Sequence, residues 1–262
     1  MKKKLKFISI IQSARMGREL INPVNSLIEL IGSVCFFLLH IFSFAIIISR
    51  FSFPGWTTGE MWIMLFTFEL FTYAAFFLFW KGLVHTVRDI NRGGFDYLLT
   101  KPISTRLLTF FRSGGLHNFV CMIFSILGVL ISADIFGINI TFVSFILYLL
   151  SILTSLWIFH SMSVMLISLN FYFGYLPATS SAPFQVQEIY KYPSSIFNQA
   201  DLWAWFTVIP LSLLTTVPSV LILLKSLDLH LYLWYIGLFT LFSLASELIW
   251  KKALVNYTSS GS

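Results

Sequence analysis

Five stretches of the chain stay apolar long enough to cross a bilayer as an α-helix, which takes about 20 residues. They cover residues 27–49, 61–83, 111–133, 141–169 and 229–249. Continuous apolar runs, rather than alternation over ~10-residue pieces, exclude a β-barrel. A short turn holding Pro54 and Gly55 separates the first two runs, and a polar stretch over 85–105 separates the second from the third. The region 170–224 reads in two ways. Residues 202–224 are apolar enough to cross but carry Pro210 and Pro218. Alternatively, 172–192 is a weakly apolar fifth span and 202–224 a hairpin dipping back from the outer side, since broken helices at membrane depth are tolerated where they pack on protein or line a cavity. Both give six spans, and the second is expected because the first would leave residues 170–201 as a long inside loop with one basic residue. Ahead of the first span, residues 5–21 form an amphipathic helix: Phe7, Ile10, Ile11, Ala14 and Ile21 recur at helical spacing opposite Arg15 and Arg18, the pattern of a helix lying on anionic lipid.

Composition agrees with the spans. Of 262 residues, 57% are apolar and 11% charged, against roughly 45–50% and about 25% in soluble domains; mean hydropathy is +0.84. A soluble enzyme, a disordered chain and a disulfide scaffold are excluded, and an integral membrane protein is expected. The basic residues set orientation through the excess of Lys and Arg on cytoplasmic loops. Fourteen of the 17 fall in the N-terminal segment, the 81–112 connection and the C-terminus, leaving Arg50, Lys191 and Lys225 for the other face. Both termini are thus expected in the cytoplasm. The basic start is not followed by a short apolar stretch and a small-residue site, so no cleaved leader is expected. The end, 255–262, is expected to be a flexible tail after one transmembrane domain over 1–254.

Familiar chemistry is missing from the sequence. There is no G-x-S or H-E-x-x-H, and no Gly-Lys dipeptide, hence no Walker A loop. Cys35 and Cys121 stand alone in apolar runs, and the five histidines fall in five segments; His160 is expected as a bundle residue. Charges inside spans are the default functional candidates. Glu69 lies mid-span, while Glu29 and Glu247 lie near span ends where basic neighbours can solvate them. Glu69, with Gln185 and Glu188, forms the candidate translocation path.

The connection between the second and third spans carries the strongest signal. Ile90, Phe95, Leu98 and Leu99 make an apolar stripe among charges, Gly93 and Gly94 break the helix, and Lys101 and Pro102 close the segment. An exposed stripe of this kind either lies on the membrane or docks in a partner's groove. Here the sequence over 90–104, INRGGFDYLLTKPIS, resembles the I-x-x-G-x-x-D-x-L-L-x-x-P signature of ABC type-2 permeases, the six-span exporter branch without its own ATPase domain. YPSSIF over 192–197 and VIPLSLLTTVPS over 208–219 resemble two further motifs of that branch, in the same order.

The resemblance implies an all-α integral membrane fold of six transmembrane helices, with an amphipathic interface helix within 1–25, a cytoplasmic coupling loop over 85–108 and a re-entrant hairpin over 193–228, before the last span. It implies an exporter permease in the bacterial cytoplasmic membrane, among lipids, paired with an identical or paralogous second permease. Two ABC ATPase subunits would carry ATP and Mg²⁺, leaving no cofactor on this chain. Neither enzyme activity nor a nucleic-acid partner is expected. The coupling contact falls on Arg88, Asp89, Arg92, Gly94, Phe95, Asp96, Leu98, Lys101 and Pro102. Phe95 and Leu98 are expected as anchors in the ATPase groove, and Asp96 as a cap on the short helix that follows it. A non-transporting membrane scaffold or assembly factor is the alternative.

Overall fold

The computed structural model describes residues 17, 21–111, 114–197, 202–225 and 229–257, with backbone alone over 202–210 and at 197. The amphipathic N-terminal helix, apart from Gly17 and Ile21, and the end of the C-terminal tail lie outside the described residues, as do Arg112 and Ser113.

The described chain is helical, with no strand beyond an isolated bridge between Phe53 and Trp56. Helix α1 spans Pro23–Arg50, its proline near the start, where a missing N–H costs nothing. Helix α2, Thr58–Ala75, begins at a capping box in which Thr57 and Glu60 satisfy each other's backbone N–H. It continues through a π-helical turn, Phe76–Trp80, into α3, Lys81–Arg92. Two short helices follow, α4 (Phe95–Leu99) and α5 (Thr105–Phe110). Then come α6 (Leu116–Ile135), α7 (Phe142–Ile167) and the single turn α8 (Asn170–Phe173). Helix α9 is Ala178–Gln185, followed by 3₁₀ turns at Gln187–Lys191 and Ser194–Phe197. Helices α10, Leu202–Ile222, and α11, Leu229–Val255, complete the chain.

Among the described residues, five helical stretches are long and apolar enough to cross a membrane: 23–50, 58–92, 116–135, 142–173 and 229–255. Each covers most of a run read from hydropathy, and the second extends past the bilayer length into the basic connection. The expected span over 172–192 is not a single helix. Gly174 adopts a left-handed φ of 77°, Pro177 and Pro183 remove backbone donors, and the chain proceeds as α9 and two 3₁₀ turns.

Helix α2 is the centre of the molecule. Fourteen of its residues are buried, against two of α1. It packs on α6, where Gly128 admits the ring of Phe66: a Cβ there would sit 2.3 Å from it. Helix α7 packs on α10 and α11. At one end of the bundle Lys225 bonds Glu60 at 2.9 Å and also donates to the Gly55 carbonyl, and Trp56 donates to Ser195. The basic segment α3–α5 lies at the other end.

Candidate functional site

The connection α3–α5 is built as a bracket. Gly93 ends α3 at φ 76°, a left-handed conformation that costs a residue with a Cβ roughly 1–2 kcal/mol. The chain turns there and α4 starts at once. Phe95 is fully buried, its ring set edge-on to Phe171, Trp250 and Tyr257 with centroids 5.2–6.1 Å away. Leu98, one turn on, is buried beside it. The opposite face of α4 is open: Tyr97 is 67% exposed and Leu99 48%. Lys101 lies 3.5 Å from the centre of the Tyr97 ring, and its ammonium holds the Tyr97 hydroxyl below the usual phenol range.

This geometry corrects the expected anchors. Phe95 and Leu98 face their own chain, because a Phe with three aromatic neighbours from α8, α11 and the chain beyond α11 is already satisfied. The apolar groups offered outward are Tyr97 and Leu99. Asp96 does not precede α4 but sits in its first turn, and Gly94 holds the N-cap position without a side-chain cap. A carboxylate there still favours the positive helix end. Arg88, Arg92, Gly94, Asp96 and Pro102 are exposed, while Asp89 and Lys101 are half-buried.

Sequence reasoning missed the role of Arg106, counted above only as a loop cation. It is 8% exposed and donates to Glu247 at 2.8 Å, Ser246 at 2.7 Å and Ser161 at 3.1 Å. Trp250 donates to Thr105 at 3.0 Å, and Thr109 shares a hydrogen bond with His160. Helix α5 is thereby fastened to α7 and α11. Glu247 also pairs with Lys251 at 3.0 Å, so this span-end carboxylate is held by basic neighbours. Glu29, at the start of the first span, lies 3.3 Å from His117 and 3.9 Å from Lys81.

A second polar group lies inside the bundle. Glu69 is fully buried and its Oε1 is 2.9 Å from Nδ1 of His40 on α1; its Oε2 has no protein partner. Across the imidazole, Nε2 is 3.9 Å from Glu188, which pairs with Lys191 at 2.6 Å. The structure therefore joins Glu69 to Glu188 through His40, while Gln185 is exposed on α9. The signal for His40 was a histidine near the middle of the first span, matching Glu69 near the middle of the second.

No curated protein and no solved structure matches the chain. A family model described as an ABC-2 family transporter protein matches residues 34–261, a stretch that includes the α3–α5 bracket, the buried pair His40–Glu69 and the last span. The chain therefore belongs to the ABC-2 transporter family, as a multi-pass membrane protein.

Proposed function

We propose that the chain is the permease subunit of an ATP-driven exporter and that the open face of α4 docks on a separate ABC ATPase. The observation that carries this reading is the two-sided construction of α4. Tyr97 and Leu99 point away from the chain, while Phe95 on the other side is keyed into α8 and α11. A partner pushing on the outer face moves a helix that cannot shift without its aromatic neighbours. Arg106 extends the attachment to α7 and α11. Closure of two ATPase subunits on ATP would shift these brackets and switch access, an alternation between packed states rather than a continuous deformation.

The same contacts support six crossings, with α10 on the outer side and not among them. The broken segment starts at Asn170, whose side chain closes the turn to Leu176 and Thr179, near the basic end. It ends at Ser195, beside Trp56 at the opposite end, and so makes the fifth crossing. Helix α10 is followed by Lys225, which bonds Gly55 and Glu60 at that same end. Helix α10 is one continuous helix rather than the expected hairpin, and with both of its flanks at that end it lies along the outer side and does not cross. With α11 as the sixth span, both termini fall on the basic, cytoplasmic side.

Irregular backbone at membrane depth has to pack on protein or line water, and half-exposed Glu188 is costly against lipid. The face bearing α9, the 3₁₀ turns and His40 is accordingly the translocation side, closed by a second permease.

Co-expression with an ABC ATPase tests the assignment. The complex in proteoliposomes should hydrolyse ATP and move a cargo, while the isolated chain should hydrolyse none. A stable complex with no transported molecule would favour the scaffold reading instead.

A further inference from the structure

The imidazole of His40 stands between two carboxylates from two other elements. Its Nδ1 is 2.9 Å from Oε1 of fully buried Glu69 on α2, and its Nε2 is 3.9 Å from Oε1 of Glu188 in the first 3₁₀ turn. The ring is steadied by Phe36 of its own helix, 4.4 Å away between centroids, and by Phe68 of α2, 6.1 Å away. Among the described residues, the charged groups acting on His40 and Glu69 are Glu188 and Lys191, which bond each other at 2.6 Å. Tyr73 of α2 and Cys121 of α6 feel the charge of Glu69 from its other side.

Counting protons shows what the arrangement lacks. The 2.9 Å contact needs one proton between Nδ1 and Oε1, since neither a bare ring nitrogen nor a carboxylate oxygen donates. With that proton alone, Nε2 turns a lone pair toward the Glu188 carboxylate, and no hydrogen bond forms there. Lys191 and Glu188 neutralise each other, so His40 and Glu69 together keep one negative charge. The second oxygen of Glu69 has no protein partner, and a buried charge left uncompensated among apolar helices is costly. One more proton removes both defects. It cancels the charge and makes Nε2 a donor facing Glu188.

We propose that His40 takes up an exchangeable proton at Nε2, and that this proton draws Glu188 onto α1 and closes the first 3₁₀ turn against it. Water at half-exposed Glu188 supplies the proton, which bonds to the Nε2 lone pair. The positive charge then rests on the imidazolium, opposite the Glu69 carboxylate. The 3.9 Å gap has to close by about 1 Å to reach hydrogen-bond length, a movement within reach of one side chain on a single turn. Glu188 then bridges His40 and Lys191. Imidazole suits this switch because it is the side chain that ordinarily changes charge between about pH 5 and 8. That the water belongs to the translocation side rests on the function proposed above. Proton binding does not, and it is measured without ATPase or cargo, so a failed transport assay leaves it standing.

The test is NMR of the purified chain in nanodiscs, labelled with ¹⁵N-histidine and titrated from about pH 5 to 9. His40→Gln removes one of the five histidine signals and so assigns it. Both nitrogens of His40 should carry protons at the acid end, and Nε2 should be bare at the alkaline end. Glu188→Gln, isosteric and at a half-exposed position, should weaken proton binding at His40 about tenfold, the worth of one charge-assisted hydrogen bond. Hydrogen exchange gives the structural readout. Amides of 187–191 should be about tenfold better protected when His40 is protonated, relative to α6 in the same sample, and should not respond in Glu188→Gln. Melting serves as the folding control. If His40→Gln does not fold, the signal that moves in Glu188→Gln makes the assignment, because His40 is the one described histidine paired with Glu188. Identical titration of every histidine in wild type and Glu188→Gln, or protection of 187–191 that ignores pH in the wild type, would overturn the proposal.

Discussion

At the scale of single residues, Phe95 and Tyr97 are near neighbours with opposite duties. Removing the buried Phe95 ring empties a site enclosed by three aromatics, and Phe→Ala changes in cores cost about 3 kcal/mol or more. Phe95→Ala should lower the thermal stability of the isolated chain measurably. Tyr97→Ala and Leu99→Ala remove exposed groups and should leave stability within about 0.5 kcal/mol, yet reduce capture of the ATPase. If Phe95→Ala left melting unchanged, the bracket would be wrongly described. Tyr97 also has a signature in its titration. The ammonium of Lys101 favours the phenolate, so Tyr97 loses its proton at lower pH than an ordinary tyrosine. Lys101→Gln should move that ionisation upward. The difference absorbance of wild type against Tyr97→Phe, which isolates one phenol among ten tyrosines, reads the shift directly.

At the scale of elements, the flanks of α10 and the outer face of α4 lie at opposite ends of the bundle. Ile196 and Leu224, 37% and 59% exposed, flank α10 and in the proposed topology share one face of the membrane, with Tyr97 on the other. Single cysteines at the three positions, in a chain lacking Cys35 and Cys121, should be labelled by an impermeant maleimide accordingly. Positions 196 and 224 should react in intact cells and position 97 only after disruption. Reaction of 196 and 224 from opposite sides would make α10 a full span. The five long helices were legible because each is a continuous apolar run, a pattern that lipid alone enforces. Residues 172–192 were not legible as a broken segment. Gly174, Pro177 and Pro183 signal breaks, but the turns between them are fixed by tertiary contacts such as Asn170 to Thr179. The bracket was legible as a motif, and its two sides were not. The stripe of Ile90, Phe95, Leu98 and Leu99 cannot say which residues its own chain covers, because the covering rings of Phe171, Trp250 and Tyr257 are more than 70 residues away. Arg106 was hidden for a similar reason, its partners being Ser161, Ser246 and Glu247.

At the scale of the whole molecule, an aromatic and hydrogen-bonded frame connects the basic end of the bundle to its interior. Phe95 and Arg106 both reach α11, and Arg106 also reaches α7. Helix α2, buried almost throughout, carries Glu69 between them and the His40–Glu188 group. Coupling in this account is a displacement of that frame by a partner that binds only the outer face of α4. A photo-reactive benzoylphenylalanine placed at Tyr97, and separately at Phe95, in membranes of the native cell tests this most directly. Irradiation should join position 97 to a protein carrying a Walker A loop, identified by mass spectrometry, while position 95 yields no such adduct. Absence of an ATPase adduct at position 97, with the protein expressed and inserted normally, would contradict the account.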